Sequence, residues 1–240
     1  MRKLFVVTAV VGAALTVPAP AFAAALLPDL GMAKVQKIIV DTTYEPGHKL
    51  LRYGAILPDV GAGPFEVRGS RSSTSQTNMS VKQVIYQSGG GTKTRSTTAK
   101  ISYQTGVWRL GALEAGWLQT TSGTVAALAK HWYCPQDDTA FNLNLPGAPQ
   151  TRHYTSCGGG NTNLLTVTLG LSVGWDDNYG PYSYQQYIDI TNVPDGTYYL
   201  YAQADPNNYF QESNESNNTT WTEISINGTT VKKLAYGPHL

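Results

Sequence analysis

The segment Gly170–Tyr179 concentrates side chains that could do chemistry, because it ends in the run Trp-Asp-Asp-Asn-Tyr. Paired carboxylates can cleave a glycosidic bond when one acts as acid and the other as base or nucleophile. Asp176 and Asp177, with Glu212 further along, are the candidates for such a pair. Neighbouring residues of an extended segment point to opposite faces, so Asp176 and Asp177 make a poor facing pair. The carboxylates alone therefore do not favour a glycosidase.

Histidines are the next candidates, since imidazole is a common ligand of transition metals. The sequence contains four of them, which are His48, His131, His153 and His239. His131 lies three residues before Cys134, and His153 lies four before Cys157. If the cysteines pair, the two imidazoles could bind copper together with Tyr179 or Asp177, although these offsets place them on opposite strand faces. The other interpretation is surface histidines beside a disulfide, because copper(II) favours several nitrogen or oxygen ligands.

The beginning of the chain predicts export. Residues Met1–Ala23 have two early basic residues, an apolar stretch and the small-x-small sequence Ala-Phe-Ala, which are typical of a cleaved secretory signal. Pro18 and Pro20 interrupt an apolar run that is already too short to span a bilayer. An uncleaved membrane anchor is the alternative. We expect the mature part, residues 24–240, to be secreted, extracellular and free of the membrane.

Composition limits the classes of partner and indicates the compartment in which the protein folds. The net charge is +1 and no basic tract occurs, which argues against nucleic acid or an anionic membrane as partner. Charged residues make up 14% of the chain, while 24 glycines and 15 tyrosines suit an exported β-sheet protein. The two cysteines, Cys134 and Cys157, predict one disulfide in an oxidising compartment. A cysteine-based metal site is the weaker alternative, because two distant thiols rarely hold zinc.

Short runs of β-branched and aromatic residues, separated by turn residues, predict strands throughout the mature part. The predicted strands are Val35–Asp41, Leu50–Leu57, Pro64–Gly69, Val81–Tyr86, Val125–Tyr133, Leu164–Leu169, Tyr198–Ala204 and Thr219–Ile226. The dipeptide Asn227-Gly228 then predicts a tight hairpin that leads into a last strand, Thr229–Leu234. We predict one all-β domain over residues 24–240, an antiparallel β-sandwich with long loops and a C-terminal β-meander, with a barrel as the alternative.

The Gly-Trp-x-Asp-x-Tyr pattern of Gly174–Tyr179 resembles the end of the lysyl oxidase catalytic domain. Further segments resemble bacterial-type lysyl-oxidase-like domains and follow the same order. They are Leu27–Leu30, Leu51–Tyr53, Gly61–Arg68, Val81–Tyr86, Lys130–Cys134, Asp205-Pro206, Glu212 and Asn217-Asn218. The resemblance depends on this shared order, and its segments are spread over nearly the whole mature chain.

The resemblance implies a lysyl-oxidase-type β-sandwich and a copper-dependent oxidation of primary amines. In that family a His-x-His-x-His strand holds copper, and a lysine joins an oxidised tyrosine as lysine tyrosylquinone. By position, Lys130 matches the cofactor lysine and Tyr179 matches the cofactor tyrosine. Cys134 and Cys157 match a disulfide of the family.

The copper-binding strand is the point where this sequence departs from the family. The ligand positions should fall around Thr105, Val107 and Arg109, beside Trp108. Valine has no donor atom, and arginine stays protonated and has no lone pair for a metal. We therefore expect Tyr179 to stay a phenol, with the Arg109 guanidinium bonded to Tyr179, to Asp177 or to another nearby carboxylate.

The resulting functional expectation is a secreted lysyl-oxidase-like protein that lacks copper and quinone chemistry, a pseudoenzyme that binds an extracellular protein or polysaccharide or has a structural role. The alternative is an active oxidase of primary amines or peptidyl lysine that depends on copper and lysine tyrosylquinone. Exposed tyrosines suggest a matrix- or carbohydrate-binding face, with the candidates Tyr182, Tyr184, Tyr198 and Tyr199.

Overall fold

The computed structural model describes residues 23–240, and those residues form strands, turns and loops without a helix. The predicted signal up to Phe22 lies outside the described residues. Within the described part, no helix is long and apolar enough to cross a membrane. Seventeen strands follow one another: β1 Ala25–Leu26, β2 Gln36–Asp41, β3 Leu50–Pro58, β4 Phe65–Ser70, β5 Asn78–Gln87, β6 Thr92–Gln104, β7 Val107–Gly111, β8 Glu114–Thr120, β9 Gly123–Ala127, β10 Trp132–Tyr133, β11 Thr139–Ala140, β12 Thr166–Leu171, β13 Trp175–Tyr179, β14 Tyr187–Asp189, β15 Gly196–Ala204, β16 Thr219–Asn227 and β17 Thr230–Tyr236.

These strands pair antiparallel in three sheets. The first sheet has the order β10-β7-β6-β5-β4-β12, with β1 beside β5. The second has the order β11-β13-β3-β14, with β2 beside β3, and the third has the order β17-β16-β15-β8-β9. The predicted all-β antiparallel fold is confirmed, and β15, β16 and β17 form the predicted C-terminal meander.

One hydrophobic cluster takes side chains from all three sheets. Alternation explains how each strand contributes, since every second residue of β15 is buried from Tyr198 to Ala204. β3 is different, because it is buried along almost its whole length. β3 pairs with β13 at one end and with β14 and β2 at the other, so it holds the strands that carry the candidate site.

The hairpin of β6 and β7 places the residues expected at the copper-ligand positions. Its two turn residues, Thr105 and Gly106, have φ values of 46° and 90°. Two left-handed residues in a two-residue loop match the natural twist of a tight hairpin. Trp108, in the middle of β7, is fully buried, so Val107 and Arg109 point to the opposite face of the strand.

The predicted strand Val125–Tyr133 is wrong in its second half, because β9 ends at Ala127 and β10 starts at Trp132. Between them, the Leu128 amide donates to the Gly116 carbonyl, and the next amide along donates to the Tyr187 carbonyl on β14. Successive backbone amides therefore bond to different strands, so β9 and β10 do not form one continuous strand. Lys130 lies in this interruption and not within a strand.

Candidate functional site

Lys130 is held inward by its backbone. The amides of the two residues before it are bonded to other strands, and the Tyr133 hydroxyl donates to the Lys130 carbonyl at 3.1 Å. The side chain is only 4% exposed, which is rare for lysine. Its Nζ lies 3.7 Å from the centroid of the Tyr179 ring and 5.3 Å from that of Tyr133. The amine is therefore enclosed by aromatic faces that favour a cation.

Tyr179 is fixed from the other side. It ends β13 and is paired with Ala55 of β3. Its hydroxyl accepts a hydrogen bond of 3.0 Å from the Cys134 amide, and its ring meets the Tyr133 ring edge-on at 5.5 Å. Burial raises its pKa well above the ordinary value, so the hydroxyl keeps its proton. The structure thus brings together the lysine and the tyrosine that the resemblance singles out.

Two carboxyl groups complete this centre. Sequence reasoning had named Asp177 as a possible partner at this site, but it did not identify Glu114. Glu114 begins β8 and Asp177 lies in the middle of β13, with exposures of 3% and 1%. All four of their carboxyl oxygens lack a hydrogen-bond partner. Glu114 had a detectable signal, because it lies on the same strand face as the buried Gly116 and Leu118.

The protonation of these groups follows from burial. Burial raises the pKa of Glu114 from 4.5 to about 8, and Lys130 opposes that rise. Burial also raises the pKa of Asp177 well above 3.8, with the charge of Asp138 adding to it. Burial lowers the pKa of Lys130 from 10.5 to about 8, against the attraction of Glu114 and Asp177. Near neutral pH the centre therefore favours carboxylic acids and an amine that loses its proton easily.

Arg109 does not occupy the position that we expected. Its Nε donates to the Gln104 carbonyl at 3.3 Å and to the Thr105 hydroxyl at 3.2 Å. The expected bond to Tyr179 or Asp177 is wrong, because the tight hairpin folds Arg109 back over its own turn. Arg109 instead lines a cavity of about 220 Å³ with Gln104, Thr105, Ala129, His131, Trp132, Tyr184 and Gln185.

The donor set around these positions does not fit copper. Val107 offers no lone pair, and the guanidinium of Arg109 is held by oxygen acceptors as a cation. His131 is exposed in the Arg109 cavity, whereas His153 lines a different cavity beside Tyr154. Over residues 23–240, no three histidine, cysteine, aspartate or glutamate side chains gather as a metal site would require. The two-histidine copper site has no geometric support.

The predicted disulfide is present and helps to position the centre. Cys134 and Cys157 are bonded, with their Cα atoms 5.9 Å apart. The Cys134 amide holds the Tyr179 hydroxyl, and the Cys157 carbonyl accepts from the Trp108 amide at 2.9 Å. A bridge closing a loop of this length contributes about 3 kcal/mol by restricting the unfolded chain. The bond thus links β7 to the segment that carries Lys130.

The remaining carboxylates and Ser172 have structural partners. Asp176 accepts from the Thr139 hydroxyl at 2.6 Å, and Glu212 accepts from the Asn218 amide group at 3.2 Å. Ser172 lies within a Gly-Leu-Ser-Val-Gly sequence of the hydrolase type, yet it is buried and donates to Asp137 at 2.8 Å. An aspartate in place of a histidine cannot activate the serine in the usual way. These residues therefore stabilise loops.

Comparison with known proteins gives one family match. Residues 153–235 match the family model described as lysyl oxidase, a stretch that contains Tyr179 and most of the C-terminal meander. This part of the chain is therefore similar to the lysyl oxidase family. No curated protein matches the chain. Lys130 and the ligand positions lie before the matched stretch, so their correspondence rests on the sequence resemblance and on the contact with Tyr179.

Proposed function

We propose that this protein is a secreted, non-catalytic member of the lysyl oxidase family that acts as an extracellular binding or structural module. The observation that carries the proposal is the donor chemistry of β7. Val107 and Arg109 stand where the family resemblance calls for histidines, and Arg109 is bonded as a cation to its own hairpin. Secretion is supported by the signal-like start of the sequence and by a disulfide, which persists in oxidising compartments.

The most suitable binding face lies around the Arg109 cavity. Tyr184 lines the cavity and is 53% exposed, and Tyr182, two residues before it in the sequence, is 75% exposed. Tyr198, in contrast, is buried in the core and takes no part in binding. Exposed tyrosines beside an arginine suit stacking on a sugar ring or contact with a protein loop. An extracellular polysaccharide or protein is therefore the proposed partner class.

A second function, oxidation of primary amines, is favoured by one specific contact. The Lys130 amine lies 3.7 Å from the centre of the Tyr179 ring, which is the pair that the family resemblance assigns to the quinone. This contact alone does not supply metal ligands. The same enclosure also satisfies a buried lysine by cation–π attraction, without any reaction of the tyrosine.

Copper content separates the two functions. The full chain, produced in copper-supplemented medium, is expected to retain far less than one copper per chain after desalting. It is also expected to release no hydrogen peroxide when given a primary amine. The variant Arg109→His should behave in the same way, because one added imidazole does not supply the several ligands that copper(II) favours.

One tightly bound copper per chain in the unsubstituted protein would contradict the proposal. Stoichiometric copper in Arg109→His would show that other ligands already exist and that the account of the missing donors is wrong. The matched control is Arg152→His, which adds an imidazole at an exposed residue that does not line the Arg109 cavity.

A further inference from the structure

In the described part of the chain, a buried cluster of polar side chains forms no side-chain hydrogen bonds. It consists of Lys130, Glu114 and Asp177. Each is at most 4% exposed, and all four carboxyl oxygens are without a partner. Among the ion pairs of 4.0 Å or less in residues 23–240, none involves Lys130. Leaving buried carboxyl and amine groups unpartnered costs several kcal/mol. Such a cluster needs an explanation that the proposed binding function does not give.

We propose that Lys130 and Asp177 condense into an intramolecular amide, with Glu114 relaying the proton. The amide would join the Lys130 Nζ to the Asp177 Cγ and tie the segment between β9 and β10 to β13. It would remove a buried amine and one of the two unpartnered carboxyl groups from the core at once. The inference rests on the proposed function, because a lysine already joined to Tyr179 could not form the amide.

Asp177 is assigned as the partner from its place on β13. Asp177 and Tyr179 are two residues apart on one strand, so their side chains share a face. That face meets Lys130, whose amine lies over the Tyr179 ring. Two strand positions are about 6.6 Å apart, which a rotamer change of a four-carbon side chain can cover. Glu114, on β8, raises the pKa of the same lysine by its charge, and its unpartnered carboxyl group is available to move protons.

The reaction balances without an oxidant or a metal. The neutral Lys130 amine attacks the Cγ of protonated Asp177, a carbon–nitrogen bond forms, and the carbon–oxygen bond to the hydroxyl breaks. Glu114 takes a proton from the attacking nitrogen and gives one to the leaving hydroxyl, which departs as water. Glu114 thus returns to its starting state, and the products are one amide and one water.

The surroundings support each requirement of this step. Burial lowers the pKa of Lys130 to about 8, so a neutral amine is accessible near neutral pH. Burial raises the pKa of Asp177 and brings that of Glu114 to about 8, so both are available as acids. Once a rotamer change brings the amine to the carboxyl group, two groups confined to one dry site react as if at very high concentration. The rings of Tyr133 and Tyr179 lie against the Lys130 amine and supply that enclosure.

Peptide mapping tests the proposal on the full chain. After denaturation, the Cys134–Cys157 disulfide must be reduced, because it joins the same two regions as the amide. Trypsin should then fail to cut after Lys130, so that residues 110–152 stay continuous and remain linked to residues 153–232. The linked species should be lighter than its two parts by one water. Recovery of the free peptide 110–130 as the main product would overturn the proposal.

Variants separate the roles. Asp177→Ala should abolish the link, whereas Asp176→Asn, on the opposite strand face, should keep it. Glu114→Gln should leave most of Lys130 unlinked in a folded protein, and a complete link in that variant would overturn the relay role. A loss of water confined to the peptide 110–152, with no link to residues 153–232, would assign the bond to Glu114 instead and overturn the assignment to Asp177. The unsubstituted chain decides the matter if a variant fails to fold.

The outcome also distinguishes this inference from the proposed function. A Lys130–Tyr179 link with gain of oxygen would contradict both. An unlinked Lys130 beside an unmodified Tyr179 would overturn the amide alone and leave the non-catalytic function intact.

Discussion

Glu212 is a buried carboxyl group outside the candidate site. It lies in a loop, yet it is only 8% exposed. It accepts hydrogen bonds from the Leu30 amide and the Asn218 side chain, and so joins the start of the described chain to the loop before β16. Burial raises its pKa from 4.5 to about 9, against the effect of these bonds. The group thus favours its protonated form in the fold.

This residue predicts a specific pH dependence. A carboxyl group whose pKa is higher in the folded than in the unfolded chain stabilises the fold most at pH values below its unfolded pKa. That stabilisation is lost as the pH rises through its folded pKa. The free energy of unfolding should therefore fall between pH 4.5 and about 9, by up to about 1.4 kcal/mol per pH unit from this group. Glu212→Gln should flatten that fall in urea unfolding measured across the range.

The partly exposed Glu223 provides the control, since Glu223→Gln should leave the slope unchanged. If Glu212→Gln had the same slope as the unsubstituted protein, Glu212 would not carry the raised pKa, and the argument from burial would fail for this residue.

The strands differ in how far the sequence predicts them. β15 and β16 were predicted because they alternate, and β17 because it follows the clear turn Asn227-Gly228, whereas β3 is a largely apolar run that ends at a turn. β6, the longest strand, was missed because its first half is polar and exposed. The prediction of a strand at Lys130 was wrong, since the bonds of the two preceding amides to β8 and β14 are long-range and leave no local pattern.

β13 depends on the glycine that precedes it. Gly174 has a φ of +78°, and a Cβ there would lie 2.4 Å from the Asn142 carbonyl oxygen. Gly174→Ala should therefore lower the free energy of unfolding by about 2 kcal/mol or more. Gly180, at the other end of the same strand, has open space around it, and Gly180→Ala should change stability by less than about 1 kcal/mol.

Denaturant midpoints of the two glycine variants test this difference. Equal stabilities would show that the turn into β13 relaxes around a side chain, and the strand would then not be a rigid support for Asp177 and Tyr179.

At the scale of the whole molecule, three sheets meet around one core and bring together residues that are far apart in sequence. The contact of Lys130 with Tyr179 was anticipated from the family resemblance. The participation of Glu114 was not, because nothing local connects β8 with β13. The bonding of Arg109 was also not anticipated, since it follows from the two-residue turn beside it. The fold class was therefore predictable, whereas the composition of the site required the assembled structure.

The chemical state of Tyr179 tests the central claim most directly. The full chain should be produced with excess copper, digested, and the peptide of residues 153–232 characterised by mass spectrometry. The proposed absence of quinone chemistry predicts Tyr179 as an ordinary tyrosine in every molecule. A Tyr179 that has gained oxygen and is bonded to Lys130 would contradict it and would make amine oxidation the function of this site.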